Sequence, residues 1–163
     1  MDRTLIAVDL RGDDATFVEA ALALLPGTVV HLLHVAAPEP DFVGFAPGPG
    51  SVRRSVAATL RAELRALGHL VARARACGHE AACHVVRAPT TEGILAEAER
   101  VDATWIVARR RARGPALAAL LGSTTQMLLR HASRPVLVLP PQDLRPASPA
   151  VPGPVHAPYS RPP

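Results

Sequence analysis

The sequence contains no lysine and no asparagine, and arginine supplies all 18 of its basic residues. The absence of lysine excludes a P-loop lysine and a Schiff-base lysine, and the absence of asparagine excludes N-linked glycosylation. Charged residues make up 20% of the chain, and the formal net charge is +4. This composition is compatible with an anionic partner, although a biased composition alone gives the same charge.

Cysteines and long apolar runs are also scarce. The two cysteines, Cys77 and Cys83, lie near histidines, but no CxxC or HxxxH spacing indicates a metal site. We expect both to be buried free thiols, because disulfides are rare in a reducing cytosol. No apolar run approaches the ~18 residues that span a membrane, and the N-terminal segment does not resemble a signal peptide. We therefore predict a cytoplasmic protein without a membrane partner.

The chain does contain an alternation of short apolar runs and longer amphipathic segments. The apolar runs have the character of buried strands, and the segments between them have helical spacing. Strands that alternate with helices predict a parallel sheet covered by helices on both faces, a three-layer α/β/α fold. The predicted strands are 4–9, 28–35, 81–87, 104–108 and 136–139. The predicted helices are 14–25, 51–77, one that starts at 89–91 and ends near 100, and one that begins at 123.

The longest predicted helix, 51–77, carries a continuous apolar stripe, and its arginines lie mainly off that stripe. No aromatic residues interleave these arginines, whereas single-stranded nucleic acids are bound by basic and stacking side chains together. We interpret the arginines as a solvated surface and do not predict nucleic acid as a partner. Before this helix, Phe42, Val43 and Phe45 lie in a long loop that is either a surface excursion, a lid or a dimer contact.

Residues 141–163 differ from the rest of the chain, because eight of these 23 residues are proline. The segment has too few large apolar groups to offset the entropy lost on ordering. We predict a disordered proline-rich tail over 141–163 and a single folded domain over 1–140.

The stretch 102–140 carries a family resemblance. After a short strand and a loop, Gly122-Ser123 opens a helix, with Ser123 as the predicted N-cap and Gln126 completing a capping box. The chain then continues as LLRHASRPVLVLP. This pattern resembles the C-terminal half of a universal stress protein (UspA-like) domain. The resemblance implies an adenine nucleotide alpha hydrolase-like, Rossmann-like fold with strand order 3-2-1-4-5. It also implies a ligand site where the first and fourth strands diverge.

The resemblance further implies the residues of an ATP site. ATP-binding members hold adenosine with an aspartate after the first strand and wall the base with a residue after the second. They bind the phosphates with Gly-x2-Gly-x9-Gly-Ser/Thr. Carried over position by position, the implied site residues are Asp9, Val35, Arg109, Ala112, Gly122, Ser123 and Thr124.

Two of these positions depart from the family pattern, since Arg109 and Ala112 replace the first two glycines. Their Cβ atoms hinder the close backbone approach that glycine allows. Leu10 stands where family members have glycine after the aspartate, and we expect it to crowd a nucleoside. Guanidinium groups in the loop either bind an anion in place of the glycines or form an unrelated basic surface, which is our preferred interpretation for Arg109, Arg110, Arg111 and Arg113.

No GxSxG motif, HExxH motif or nucleophile–base pair indicates catalysis. The resemblance therefore implies a non-enzymatic dimeric regulator or adaptor of the stress response with a degenerate nucleotide site. The alternative is an ATP-binding member that acts as a nucleotide-dependent switch. We assign no firm cofactor and expect weak anion binding without adenine selectivity. Family members commonly dimerise through the last strand, and an apolar sheet edge invites pairing, so we expect a homodimer through 136–139.

Overall fold

The structure is a computed structural model that describes residues 2–38, 50–110 and 122–140, with the backbone alone described for residues 50–53. The predicted lid residues, the proline-rich tail, Ala112, Arg111 and Arg113 lie outside the described residues. In chain order the elements are β1 (Arg3–Val8), α1 (Asp14–Leu24), β2 (Val29–Ala36), α2 (Gly50–Ala76), β3 (Ala81–Arg87), α3 (Thr90–Arg100), β4 (Trp105–Arg109), α4 (Ser123–His131) and β5 (Val136–Leu139).

The five strands form one parallel sheet in the order β3-β2-β1-β4-β5. The central strand β1 pairs with β2 and β4, so that Ile6 lies opposite Leu32 on one side and Val107 on the other. The predicted fold class and strand order are confirmed. The boundaries of β3 and β5 match the prediction, and those of β1, β2 and β4 differ from it by one residue at each end.

Helices cover both faces of the sheet. Since successive side chains of a strand point to opposite faces, neighbouring residues of one strand lie in different cores. On one face Ile6 packs in a core with Phe17 of α1 and Leu67 of α2. On the other face the neighbouring residue Leu5 packs with residues of α3 and α4, including Leu128. All five of these side chains are fully buried, and truncating a buried leucine to alanine costs about 2–5 kcal/mol.

Helix α2 is longer than the sheet that it covers. Its 27 residues extend about 40 Å at 1.5 Å per residue, whereas the seven residues of β3 extend about 23 Å. Leu67 and Val71 are therefore buried, while Leu60 and Leu64 are 36% and 43% exposed. Among the described side chains of the predicted stripe, burial begins at Leu67.

The prediction that both cysteines are buried is wrong for Cys77. This residue directly follows the last residue of α2, where the chain turns at Gly78 with a φ of 86°, and its side chain is exposed. Cys83 lies within β3 and is partly buried against the α1–α2 core.

No helix of the described chain is both long enough and apolar enough to cross a membrane.

Candidate functional site

A cavity of about 360 Å³ opens at the carboxyl edge of the sheet, where β1 and β4 diverge. This volume lies within the ~300–1,000 Å³ range typical of small-molecule sites. The described part of its wall includes all the predicted site residues except Ala112, namely Asp9, Val35, Arg109, Gly122, Ser123 and Thr124. The remaining lining residues are Ala7, Val8, Arg11, Leu33, His34, Ala37, Thr90, Ile94, Ala108 and Thr125.

Asp9 enters the cavity from a tight turn at the end of β1. Its Oδ1 accepts a hydrogen bond from the backbone N–H of Arg11 at 3.1 Å, which fixes the carboxylate relative to the turn. Leu10 adopts a φ of 59°, a left-handed conformation that is unfavourable for a residue with a Cβ. Its side chain packs against the α1–α2 core and is not part of the cavity wall. The expectation that Leu10 crowds a nucleoside is therefore wrong.

Arg109 is the last residue of β4, and its guanidinium turns inward toward the start of α1. One terminal nitrogen pairs with Asp13 Oδ1, and the other donates to Asp14 Oδ1 at 3.0 Å. The guanidinium carbon lies 4.6 Å from the centre of the Phe17 ring, a cation–π distance. We call these four residues the Arg109 cluster. Because the Arg109 side chain is only 13% exposed, the basic-surface interpretation is wrong for this arginine.

The two aspartates of the Arg109 cluster have different surroundings. Asp13 stands at the N-cap position of α1 but makes no side-chain capping bond; its carboxylate is 39% exposed and pairs with Arg109. The Asp14 carboxylate is only 8% exposed. Burial raises the pKa of Asp14, and the charge of Arg109 opposes that rise. Arg109 thus stabilises a carboxylate that would otherwise be buried without a counterion, and the cluster joins β4 to α1.

Helix α4 begins at the opposite wall of the cavity. Its N-cap is Gly122, in an extended conformation with no side-chain capping bond, and Ser123 is the first helical residue. The predicted Ser123 N-cap and capping box with Gln126 are wrong, because the cap lies one residue earlier and Gln126 donates its backbone N–H to the Gly122 carbonyl at 3.0 Å. The first N–H groups of a helix have no intrahelical acceptor and favour an anion. Ser123 and Thr124 bring this helix end to the cavity.

Sequence reasoning missed two residues on the β2 side of the cavity. His34 lines the wall; its Nδ1 lies 3.1 Å from the Val8 carbonyl oxygen, and its Nε2 lies 3.8 Å from Glu63. Gly93 lies behind Val35, since a Cβ at Gly93 would be 2.8 Å from Val35 Cγ1. The position of His34 near the carboxyl end of its strand, at the same sheet edge as Asp9, was a usable signal for His34. No signal in the sequence identifies the contact of Gly93.

Among the described residues, no three or more histidine, cysteine or acidic side chains are grouped to hold a metal ion.

The open parallel sheet with a cavity at its switch point defines the class of doubly wound α/β proteins. The sequence model of the universal stress protein family matches residues 1–140, and the chain belongs to this family. None of the curated proteins matches the sequence significantly.

Solved structures of the family share the fold. A universal stress protein from Archaeoglobus fulgidus is 26% identical, with a TM-score of 0.62 over 85% of this chain and 98% of that one. A universal stress protein from Arabidopsis thaliana with AMP bound is 17% identical, with a TM-score of 0.60 over 86% and 92% of the two chains. A universal stress protein in complex with cAMP is 18% identical, with a TM-score of 0.57 over 85% and 96%.

Proposed function

We propose that this protein is a non-enzymatic regulator of the universal stress type, whose cavity admits a nucleoside-sized ligand but binds ATP poorly. The observation that carries the proposal is the Arg109 cluster. Where ATP-binding relatives have a glycine that approaches the phosphates, this chain has a side chain that is engaged with two carboxylates. Arg109 is part of the cavity wall, and the charge of its guanidinium is opposed by the two carboxylates.

The other parts of the cavity support a ligand of modest size. Asp9 is held by its turn, Val35 supplies an apolar wall, and the start of α4 supplies backbone donors. A volume of about 360 Å³ lies near the lower end of the range for ligand sites. Relatives that hold AMP and cAMP indicate that small adenine nucleotides are reasonable first probes.

The geometry favours a regulator over an enzyme because the cavity has few groups that could activate a nucleophile. The His34 ring nitrogens face a backbone carbonyl and Glu63 rather than a hydroxyl group. Asp9 and Ser123 line the cavity from separate elements. Among the described contacts, no hydroxyl or thiol of the wall is hydrogen-bonded to a histidine or carboxylate that could act as its base.

Isothermal titration with ATP, AMP and adenosine at low and high salt tests this proposal. We expect weak, salt-sensitive binding of ATP, because the helix end and charge attract any anion whereas selectivity for ATP needs the glycine loop. Low-micromolar ATP affinity that persists in high salt and disappears in Asp9→Ala would instead establish the alternative, an ATP-dependent switch. The start of α4 in the cavity wall is the observation that favours this alternative.

We also propose that the regulator is a homodimer formed through β5. This strand pairs with β4 alone among the described strands. The backbone N–H of Ile106 donates to the Pro135 carbonyl, and that of Arg110 donates to the Leu139 carbonyl. In a parallel ladder the alternate residues therefore direct their N–H groups to the open edge, and Val138 is one of them. On the adjoining helix α4, Met127 and Leu129 are exposed.

Light scattering at micromolar concentration tests the dimer. Val138→Pro removes an outward N–H without removing a donor to β4, so we expect it to shift the protein toward monomer. Val138→Thr is the matched control, because it keeps the N–H and the β-branched shape. A wild-type monomer, or a Val138→Pro dimer as stable as the wild type, would contradict the proposal.

A further inference from the structure

The two aspartates that hold Arg109 pair with different terminal nitrogens of its guanidinium. Asp14 is the inner partner, with a carboxylate that is nearly buried, whereas Asp13 is the outer partner and is exposed to solvent. Either carboxylate is able to pair with a guanidinium. Only the outer carboxylate is accessible to solvent, and its partner Arg109 is one of the residues that line the cavity.

The hydrogen bonds of Arg109 show why the difference between Asp13 and Asp14 matters for a ligand. A guanidinium carries five N–H donors in a plane. In the described structure one terminal nitrogen donates to Asp13 and the other to Asp14, and Arg109 is one of the residues that line the cavity. Donors therefore remain for a ligand, but the positive charge that would make them effective toward a phosphate is balanced by two carboxylates. A phosphate close to Arg109 would also experience their negative charge.

Asp13 has no other described role that would account for its carboxylate. It is the N-cap residue of α1, yet it makes no capping bond with its side chain. We infer that Asp13 determines ligand specificity. It competes with ligand phosphate for Arg109, so that the cavity selects an unphosphorylated, nucleoside-like molecule over a nucleotide. This inference rests on the proposed function and names the ligand class for the same cavity.

Asp13→Asn is the decisive variant, because it removes the negative charge and keeps the shape of the side chain. Asparagine is as good an N-cap as aspartate, and Asp14 remains to hold Arg109 in place. We expect the affinity for AMP and inorganic phosphate to rise roughly three- to fiftyfold for each negative charge of the phosphate. This is the range for removing one charge about 7 Å from a phosphate at an effective dielectric constant between about 20 and about 80. The affinity for adenosine should not change.

Asp102→Asn is the matched control. It makes the same change in net charge, but Asp102 precedes β4, at the sheet edge opposite to Arg109. Its φ of 50° is a conformation that asparagine tolerates. Titrations at low salt should show the gain for Asp13→Asn alone. In NMR spectra of the arginine Nε–Hε groups, phosphate should shift the Arg109 signal in Asp13→Asn more than in the wild type, with that signal identified by Arg109→Lys.

Three outcomes would overturn the inference: no gain in the folded Asp13→Asn protein, an equal gain in Asp102→Asn, or a gain that leaves the Arg109 signal unmoved. Asp13→Ser, which also removes the charge and retains N-cap propensity, replaces Asp13→Asn if circular dichroism shows that the latter is unfolded. Failure of the proposed function is distinguishable from failure of the Asp13 inference, because it appears as tight, salt-resistant ATP binding by the wild type.

Discussion

The two ends of the sheet use the same kinds of ion pairs in opposite surroundings. At the carboxyl edge, Arg109 and Asp14 of the Arg109 cluster are largely shielded from solvent, whereas Asp13 is partly exposed. At the amino edge, Arg3 pairs with Asp102 at 3.1 Å, and Arg134 pairs with both Asp102 and Glu99. There the Arg3 and Asp102 side chains are 46% and 72% exposed. We call this second group the amino-edge network.

The difference shows why the number of ion pairs is a poor guide to their importance. Exposed pairs gain little, because water screens them and the side chains lose entropy on pairing. Removing one partner of a buried pair leaves a charge without compensation, which is strongly destabilising. The Arg109 cluster therefore constrains the shape of the cavity, whereas the amino-edge network connects the ends of β1, α3 and α4 with little effect on the site.

The largest expected effect is that of Arg109→Gln, which we compare with the same substitution of Arg3 at the other end of the sheet. Arg109→Gln leaves the buried Asp14 without its counterion and should lower the free energy of unfolding by about 3–5 kcal/mol. Arg3→Gln, at the exposed amino-edge network, should lower it by about 1 kcal/mol or less. Urea unfolding monitored by circular dichroism provides both values. Equal losses for the two variants would show that burial does not distinguish the clusters.

The second prediction concerns the cavity wall and compares two glycines within helices. Gly93→Ala places a methyl group 2.8 Å from Val35 Cγ1 and should destabilise the protein by about 1–3 kcal/mol through overpacking, despite the better helix propensity of alanine. Gly68→Ala, in α2, has no atom within 4 Å of the added Cβ, and should stabilise by up to about 1 kcal/mol. Thermal unfolding of both variants is the measurement, and a stabilising Gly93→Ala would show that α3 moves away freely.

The third prediction concerns a cluster around His31 and His84, whose exposure to solvent is intermediate between that of the Arg109 cluster and that of the amino-edge network. His31 and His84 stack with ring centroids 5.3 Å apart, and their nitrogens lie 3.1 Å from each other. Glu97 Oε1 lies 3.2 Å from His84 Nδ1, and Arg100 donates to Glu97. Burial lowers the pKa of both histidines, with the positive charge of Arg100 acting in the same direction on each. The hydrogen bond from Arg100 lowers the pKa of Glu97.

Because the folded state disfavours protonated histidine here, the unfolded state binds more protons. The stabilising contribution of the neutral His31 and His84 is complete above pH 6.5, the ordinary pKa of histidine. It is lost progressively as the pH falls below that value. The contribution of Glu97 is complete above pH 4.5 and is lost at lower pH. The melting temperature should therefore fall from pH 7.5 to pH 5, and less steeply in His31→Gln/His84→Gln. The exposed His131→Gln is the control, and an unchanged slope in the double variant would contradict the assignment.

The parts of the fold that local patterns determine could be predicted from the sequence. The runs 81–87 and 136–139 are rich in β-branched and apolar residues, and they form strands with those bounds. The cavity position follows from the strand order, which places Asp9 and Gly122 at the same sheet edge. What could not be predicted depends on contacts distant in sequence. Arg109 and Asp13 are 96 residues apart, and a run of arginines resembles a surface until its partners are known.

The smallest expected effect is that of Asp102→Asn, in the exposed amino-edge network. Asp102→Asn removes the carboxylate shared by Arg3 and Arg134 in the amino-edge network, yet asparagine suits the left-handed backbone at this position. The change in the free energy of unfolding should be about 1 kcal/mol or less at low salt, and it should diminish at 1 M salt, where the Debye length is about 3 Å. The loss caused by Arg109→Gln should persist at the same salt concentration, because buried pairs are screened much less. Urea unfolding of both variants at low salt and at high salt measures this difference. A loss in Asp102→Asn that resists salt would show that the amino-edge network acts as a buried cluster, in spite of its exposure to solvent.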